Sequence, residues 1–148
     1  MSVPTAAERI AAVNERRERL KKEEAAAFAE QQANDLEALA DLEATHGFDR
    51  VVRIDLNGWK PASGAATMIV VRVPLKSEDY FKRFEDTVSK PKSDNLKATT
   101  QLASACLVYP SDKDLLAATM ELAPGILSNA GLQIIHAVQG RAEEEKKG

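Results

Sequence analysis

Aromatic side chains make up only 5% of this 148-residue chain, and cysteine (one), tryptophan (one) and histidine (two) are nearly absent. A lone thiol, Cys106, excludes an internal disulfide. The two imidazoles, His46 and His136, lie far apart in the sequence, and no His-x-x-x-His, Cys-x-x-Cys or acid cluster of ligand spacing exists. No catalytic, metal-binding or cofactor-binding residue is therefore assigned, and an enzyme is not expected. An excess of positive charge is missing as well: 20 lysines and arginines face 23 acids, for a net charge of −3. The chain has no electrostatic reason to seek phosphate backbones or anionic membranes, so neither nucleic acid nor membrane is expected as a partner. Long hydrophobic runs are lacking too. The stretch 68–71 falls far short of the roughly 20 residues that cross a bilayer, and the start MSVPTAAERIAAV has no basic region followed by an apolar core. These absences point to a reducing, soluble compartment, most simply cytoplasm, and the length to one domain with an appendage, at roughly 150 residues per domain.

From Thr5 to His46 proline and glycine are absent, and alanine, glutamate, arginine, lysine and leucine dominate. These are strong helix formers, and Thr5-Ala6-Ala7-Glu8 matches a capping box, so a long helix is expected, on the order of 60 Å if unbroken. In its first half Ile10, Val13, Leu20 and Phe28 are the large apolar residues, and the intervening stripe positions fall on Arg17 and Glu24. This half reads as solvated, or as an arm ordered against a partner or another copy. In the second half Leu36, Leu39 and Leu42 are expected to form a docking face. Glu8 to Glu24 carries six basic and five acidic residues, whereas Glu30 to Asp55 carries seven acidic and two basic.

Gly47 is placed to end the helix. Val52, Ile54 and Leu56 then alternate with Arg53 and Asp55, the pattern of a half-buried strand, and Thr67 to Val73 gives a second, apolar on both faces. The connection carries Asn57-Gly58, Pro61 and Ser63-Gly64, which reads as a loop, with Trp59 as a lid over the core edge. Two strands are marginal alone and must lie against helices.

Four short helices are expected to follow. Ser77-Glu78-Asp79 starts one with the stripe Tyr80, Phe81, Phe84 and Val88. Lys90, Lys92 and Lys97 form a compact basic patch in and after the break, read as a solvated loop. The next helix carries Leu96, Leu102, Ala103, Cys106 and Tyr109 until Pro110 stops it; Cys106 there is a small core hydrophobe. Ser111-Asp112 caps a third, with Leu115, Leu116, Thr119, Met120 and Leu122 on its buried face. The last begins near Pro124 and holds Ile126, Leu127, Ala130, Ile134, Ile135 and Val138, with Gly131 allowing a close neighbour. The fold class is α+β, mostly α: a long charged N-terminal helix or arm (1–46), then a compact domain (47–140) with a two-stranded ribbon and a C-terminal bundle of about four short helices, and a disordered charged tail (141–148).

The order Val71-Arg72-Val73-Pro74, Tyr80-Phe81-Lys82-Arg83-Phe84, Cys106-Leu107-Val108-Tyr109-Pro110, Leu115-Leu116 and Ala123-Pro124-Gly125-Ile126 resembles the tail assembly chaperones of long-tailed bacteriophages over Val71 to Val138. The resemblance implies a non-enzymatic protein of the host cytoplasm that coats the helical tape measure protein and brings tail tube subunits to it. Tyr80, Phe81, Phe84, Ile126, Leu127 and Ile134 are the residues expected to present an apolar groove to a partner helix. A minor structural or scaffold protein that oligomerises through the N-terminal helix is the alternative, and a homo-oligomer fits either.

Overall fold

The computed structural model describes residues 2–92 and 94–147; of Tyr80 and of residues 141–147 only the backbone is described. Helix α1 spans Ala6–His46, 41 residues. It begins where Thr5 Oγ1 accepts the Glu8 N–H at 3.1 Å and ends at Gly47, whose φ of +100° is open to glycine. The Gly47 N–H closes the last turn on the Glu43 carbonyl at 2.9 Å.

Strands β1 (Val51–Asp55), β2 (Met68–Arg72) and β3 (Leu107–Tyr109) form one antiparallel sheet in the order β1-β2-β3. The expected two-stranded ribbon therefore gains a third strand. The second helix of the expected bundle stops at Cys106 instead of running to Pro110, because a residue before proline avoids the helical region and Val108 and Tyr109 suit a strand. Pairing of Leu107 and Tyr109 with Val71 and Val70 fills the open edge of β2, with an irregularity between Val70 and Val71.

Helices α2 (Asp79–Ser89), α3 (Asn95–Cys106), α4 (Lys113–Leu122) and α5 (Ile126–Lys147) complete the fold. Asp94 and Asp112 cap α3 and α4 by accepting the Lys97 and Leu115 N–H groups at 3.0 and 2.9 Å. Helix α2 starts one residue later than Ser77 suggests: Glu78 is the cap position, and its carboxylate accepts the Leu75 N–H and pairs with Arg72 at 3.1 Å. Helix α5 does not stop at Gly140. Residues 141–147, expected as a disordered tail, continue it, since Arg, Ala, Glu and Lys favour helix and one glycine costs only about 1 kcal/mol. Gly148 lies outside the described residues.

The sheet is sandwiched. Val52, Ile54, Leu56, Ile69, Val71 and Val73 share one face and pack with Phe81, Leu102, Ala103, Cys106, Ile126, Ala130, Ile134 and Val138 of α2, α3 and α5. Met68 and Val70 alternate to the other face, where α1 crosses all three strands, and both are fully buried. Four consecutive residues of β2, Met68 to Val71, are thus closed from solvent, as an apolar strand between two helical layers must be. Helices α3 and α5 approach closely at Gly131: a Cβ there would overlap the Thr99 carbonyl and Cγ2.

Candidate protein-binding groove and the anchored arm

Helices α2 and α5 flank a cleft of about 410 Å³. Its apolar lining comes from Phe81, Phe84 and Val88 of α2 and from Ile135 and Val138 of α5; Lys76, Glu85, Ser89 and Gln139 make the polar part of its wall. The i, i+3, i+4 spacing of Phe81, Phe84, Glu85 and Val88 puts all four on one side of α2. The Phe81 and Phe84 rings lie 5.8 Å apart and tilted at 43°. Phe81 is buried in the core beneath the cleft, whereas Phe84, Val88 and Ile135 are half-buried. Phe84 also lines a smaller hollow of about 200 Å³ against α3, with Arg83, Thr87, Ala98, Gln101, Leu102 and Ala105. Its ring therefore divides two recesses.

The residues expected to present the groove separate in space. Phe81 and Phe84 line it. Ile134 is 0% exposed in the core, and Ile126, also buried, sits at the opposite end of the described part of α5, in a shallow hollow with Asp55, Leu56, Asn57 and Pro124. Leu127 is half-buried against the core cluster. The side chain of Tyr80 lies outside the described residues. Val88, Ile135 and Val138 line the cleft beside Phe81 and Phe84. Val88 had a signal in the sequence, four residues beyond Phe84 on the same stripe; Val138 is four residues beyond Ile134 on the buried stripe of α5, and Ile135 lies half-buried beside it.

The second feature is how α1 is held. The face that docks runs through Ala27, Gln31, Asp35, Ala38, Leu39 and Leu42, half-buried or buried, while Leu36, expected in it, is 39% exposed. At the centre of this face is a carboxylate. Asp35 is 0% exposed and accepts the Thr67 N–H at 2.7 Å, the Thr67 hydroxyl at 2.5 Å, Gln31 Nε2 at 3.0 Å and the Tyr109 hydroxyl. A buried carboxylate without donors costs several kcal/mol, and here four donors, from α1, from Thr67 just before β2 and from β3, converge on it. Burial first, then the hydrogen bond to Asp35 and its charge, push the Tyr109 hydroxyl well above the usual tyrosine range, so it stays a donor. On the far side of the same loop the Ala66 N–H donates to Thr119 Oγ1 of α4 at 3.0 Å, so the start of β2 is tied to helices in two directions. Trp59 does act as a lid: its Nε1 donates to the Ala65 carbonyl at 2.9 Å and its ring meets Phe28 of α1 edge-on at 5.4 Å.

No family model matches the chain, and no match was found among curated proteins or solved structures. The geometry is then the remaining guide. Cys106 is 1% exposed, and burial pushes its thiol up to about 11, the state of a packed side chain and not of a nucleophile. His46 is half-buried at the end of α1 and His136 is exposed on α5. Among the described residues no three His, Cys, Asp or Glu side chains are grouped to hold a metal ion. Nor is any single helix there long and apolar enough to cross a membrane; α4 and α5 reach that length and apolarity only together, and they meet at 96°.

Proposed function

We propose that this chain is a tail assembly chaperone of a long-tailed bacteriophage, which holds segments of the helical tape measure protein in the host cytoplasm and brings tail tube subunits to it. The observation that carries this reading, beside the sequence resemblance, is the cleft between α2 and α5. An amphipathic helix is recognised by an apolar floor that takes its i, i+3 and i+4 side chains and by polar groups along the edge. Phe81, Phe84, Val88, Ile135 and Val138 supply the floor, and Lys76, Glu85, Ser89 and Gln139 the edge. A cleft of about 410 Å³ takes a few side chains and not a whole helix, which suits serial, reversible holding of a long partner.

The test is co-expression with a tape measure fragment that precipitates alone. The proposal expects the fragment to stay soluble and to co-purify; unchanged precipitation overturns it. The exposed first half of α1 favours a second reading, a minor structural or scaffold component that assembles through this helix. Mass spectrometry of finished particles separates the two, because a chaperone leaves and a component stays.

A further inference from the structure

The stripe that docks α1 onto the body does not end where the body ends. Steps of three and four residues lead back from Leu42, Ala38, Asp35, Gln31 and Ala27 to Glu24, Leu20, Arg17, Val13 and Ile10, all on one side of the helix. From Ala27 onward this side is half-buried or buried; before it Ile10, Val13 and Leu20 are 61%, 42% and 50% exposed. Some 20 residues of helix, roughly 30 Å, project past the body with the same face bare. A helix with no covered face is marginal in water, so the projecting part gains from something laid along that face.

We infer that the cover is a second copy of this chain, paired antiparallel through Ile10, Val13, Arg17, Leu20 and Glu24. The charge pattern selects both occupant and direction. Arg17 and Glu24 occupy stripe positions on either side of Leu20 and have opposite sign. In a parallel pair in register, Arg17 meets Arg17 and Glu24 meets Glu24, which repels. Reversing one helix sets Val13 beside Glu24 of the second copy and Leu20 beside its Arg17. Each Arg17 then lies one turn from the other copy's Glu24, and two-fold symmetry makes the pair twice. The second arm also runs along the side of α1 that its own body covers farther on, and reaches that body's edge at Ala27 and Phe28. The pairing does not depend on the chaperone reading, since the arm lies outside the α2/α5 cleft.

Light scattering on the full chain over a hundredfold concentration range tests it. The expected result is a concentration-dependent rise to twice the 16.1 kDa chain mass. Leu20→Glu should leave monomer throughout. Arg17→Glu should weaken the dimer, and Arg17→Glu with Glu24→Arg should restore it, which a parallel pair would not do. Spin labels on Ala7→Cys should lie on the order of 35 Å apart in the antiparallel dimer, against about 10 Å in a parallel one. Monomer at every concentration overturns the inference, as do a dimer that survives Leu20→Glu, a short label distance or a failed rescue. These variants leave the cleft intact, so retention of the tape measure fragment by a monomeric chain would separate failure here from failure of the chaperone reading.

Discussion

The carboxylate of Asp35 in α1 takes both the backbone N–H and the hydroxyl of Thr67, at 2.7 and 2.5 Å, 32 residues away at the head of the central strand. It fixes the rotation of the long helix about its own axis. A purely apolar face would tolerate some roll; a carboxylate that must meet Thr67, Tyr109 and Gln31 together tolerates little.

Asp35→Ala should therefore be costly. It strips Thr67 and Tyr109 of a charged acceptor in a buried site, for a loss of about 3 kcal/mol in urea unfolding, most of it the cost of stranding donors. Hydrogen exchange should rise in residues 27–46 before it rises in α5. Leu36→Ala, at an exposed position on the same helix, should change stability by less than about 1 kcal/mol.

The cleft gives a prediction that separates binding from folding. Val88→Asp places a charge on its half-buried floor, and Leu132→Asp places the same charge at a position of α5 that is 54% exposed and outside the cleft. Val88→Asp should abolish retention of a tape measure fragment in a pull-down, and Leu132→Asp should retain it. Circular dichroism melts of both should stay close to wild type, since neither side chain belongs to the buried core.

Two glycines of α5 should respond in opposite directions. Gly131 lies against Thr99, where a Cβ has no room because the nearest atoms include a backbone carbonyl. Gly131→Ala must push α3 and α5 apart and should cost about 2 kcal/mol or more. Around Gly140 a Cβ meets nothing within 4 Å. Gly140→Ala there should add about 0.5–1 kcal/mol, the difference in helix propensity. Denaturation midpoints of the two variants check both signs.

Much of this was legible in the sequence for local reasons. Thr5 and Asp112 announced their helices because a capping side chain acts on its own next turn, and Gly47 announced an end for the same reason; Asp94 read only as part of a polar break, and its capping of α3 came from the structure. The period-two run Val52, Ile54, Leu56 and the two-faced apolar run of β2 gave strands between covers. What was hidden is non-local. Leu107-Val108-Tyr109 continues an apolar helical run, and only its pairing with Val70 and Val71, more than thirty residues away, makes it a strand. Asp35 reads as one acid among many on a charged helix; its burial depends on Thr67 and Tyr109, which the sequence places far from it. Leu36, Leu39 and Leu42 pointed to a docking face, but the face is turned so that Asp35 sits at its centre and Leu36 at its margin. In the cleft, Phe81 and Phe84 were legible from the α2 stripe. Which flank of α5 stays open was not, because that depends on where α2 comes to rest.

Alkaline pH should destabilise the protein in stages set by the buried Cys106 thiol and the half-buried Tyr109 hydroxyl. The Cys106 thiol ionises near 9.0 when free and is pushed up to about 11 by burial, opposed by Arg72 and reinforced by Glu78. A group whose pKa is higher folded than unfolded favours folding fully below its unfolded value, and that contribution is lost as pH rises through the folded one. The Cys106 contribution, on the order of 2 kcal/mol, should thus be intact at pH 8 and fall away between pH 9.0 and about 11. Tyr109 shifts in the same direction from 10.0, so its loss begins about one pH unit later and continues beyond. Cys106→Ala removes the first stage and leaves the second. Its stability should be lower than wild type at pH 8 from lost packing, yet flatter from pH 9 to 10. Tyr109→Phe removes the second stage and strips Asp35 of a donor. Urea midpoints measured at half-unit steps from pH 7 to 11 decide the matter: a wild-type curve level to pH 11 would mean that neither group is held neutral by the fold.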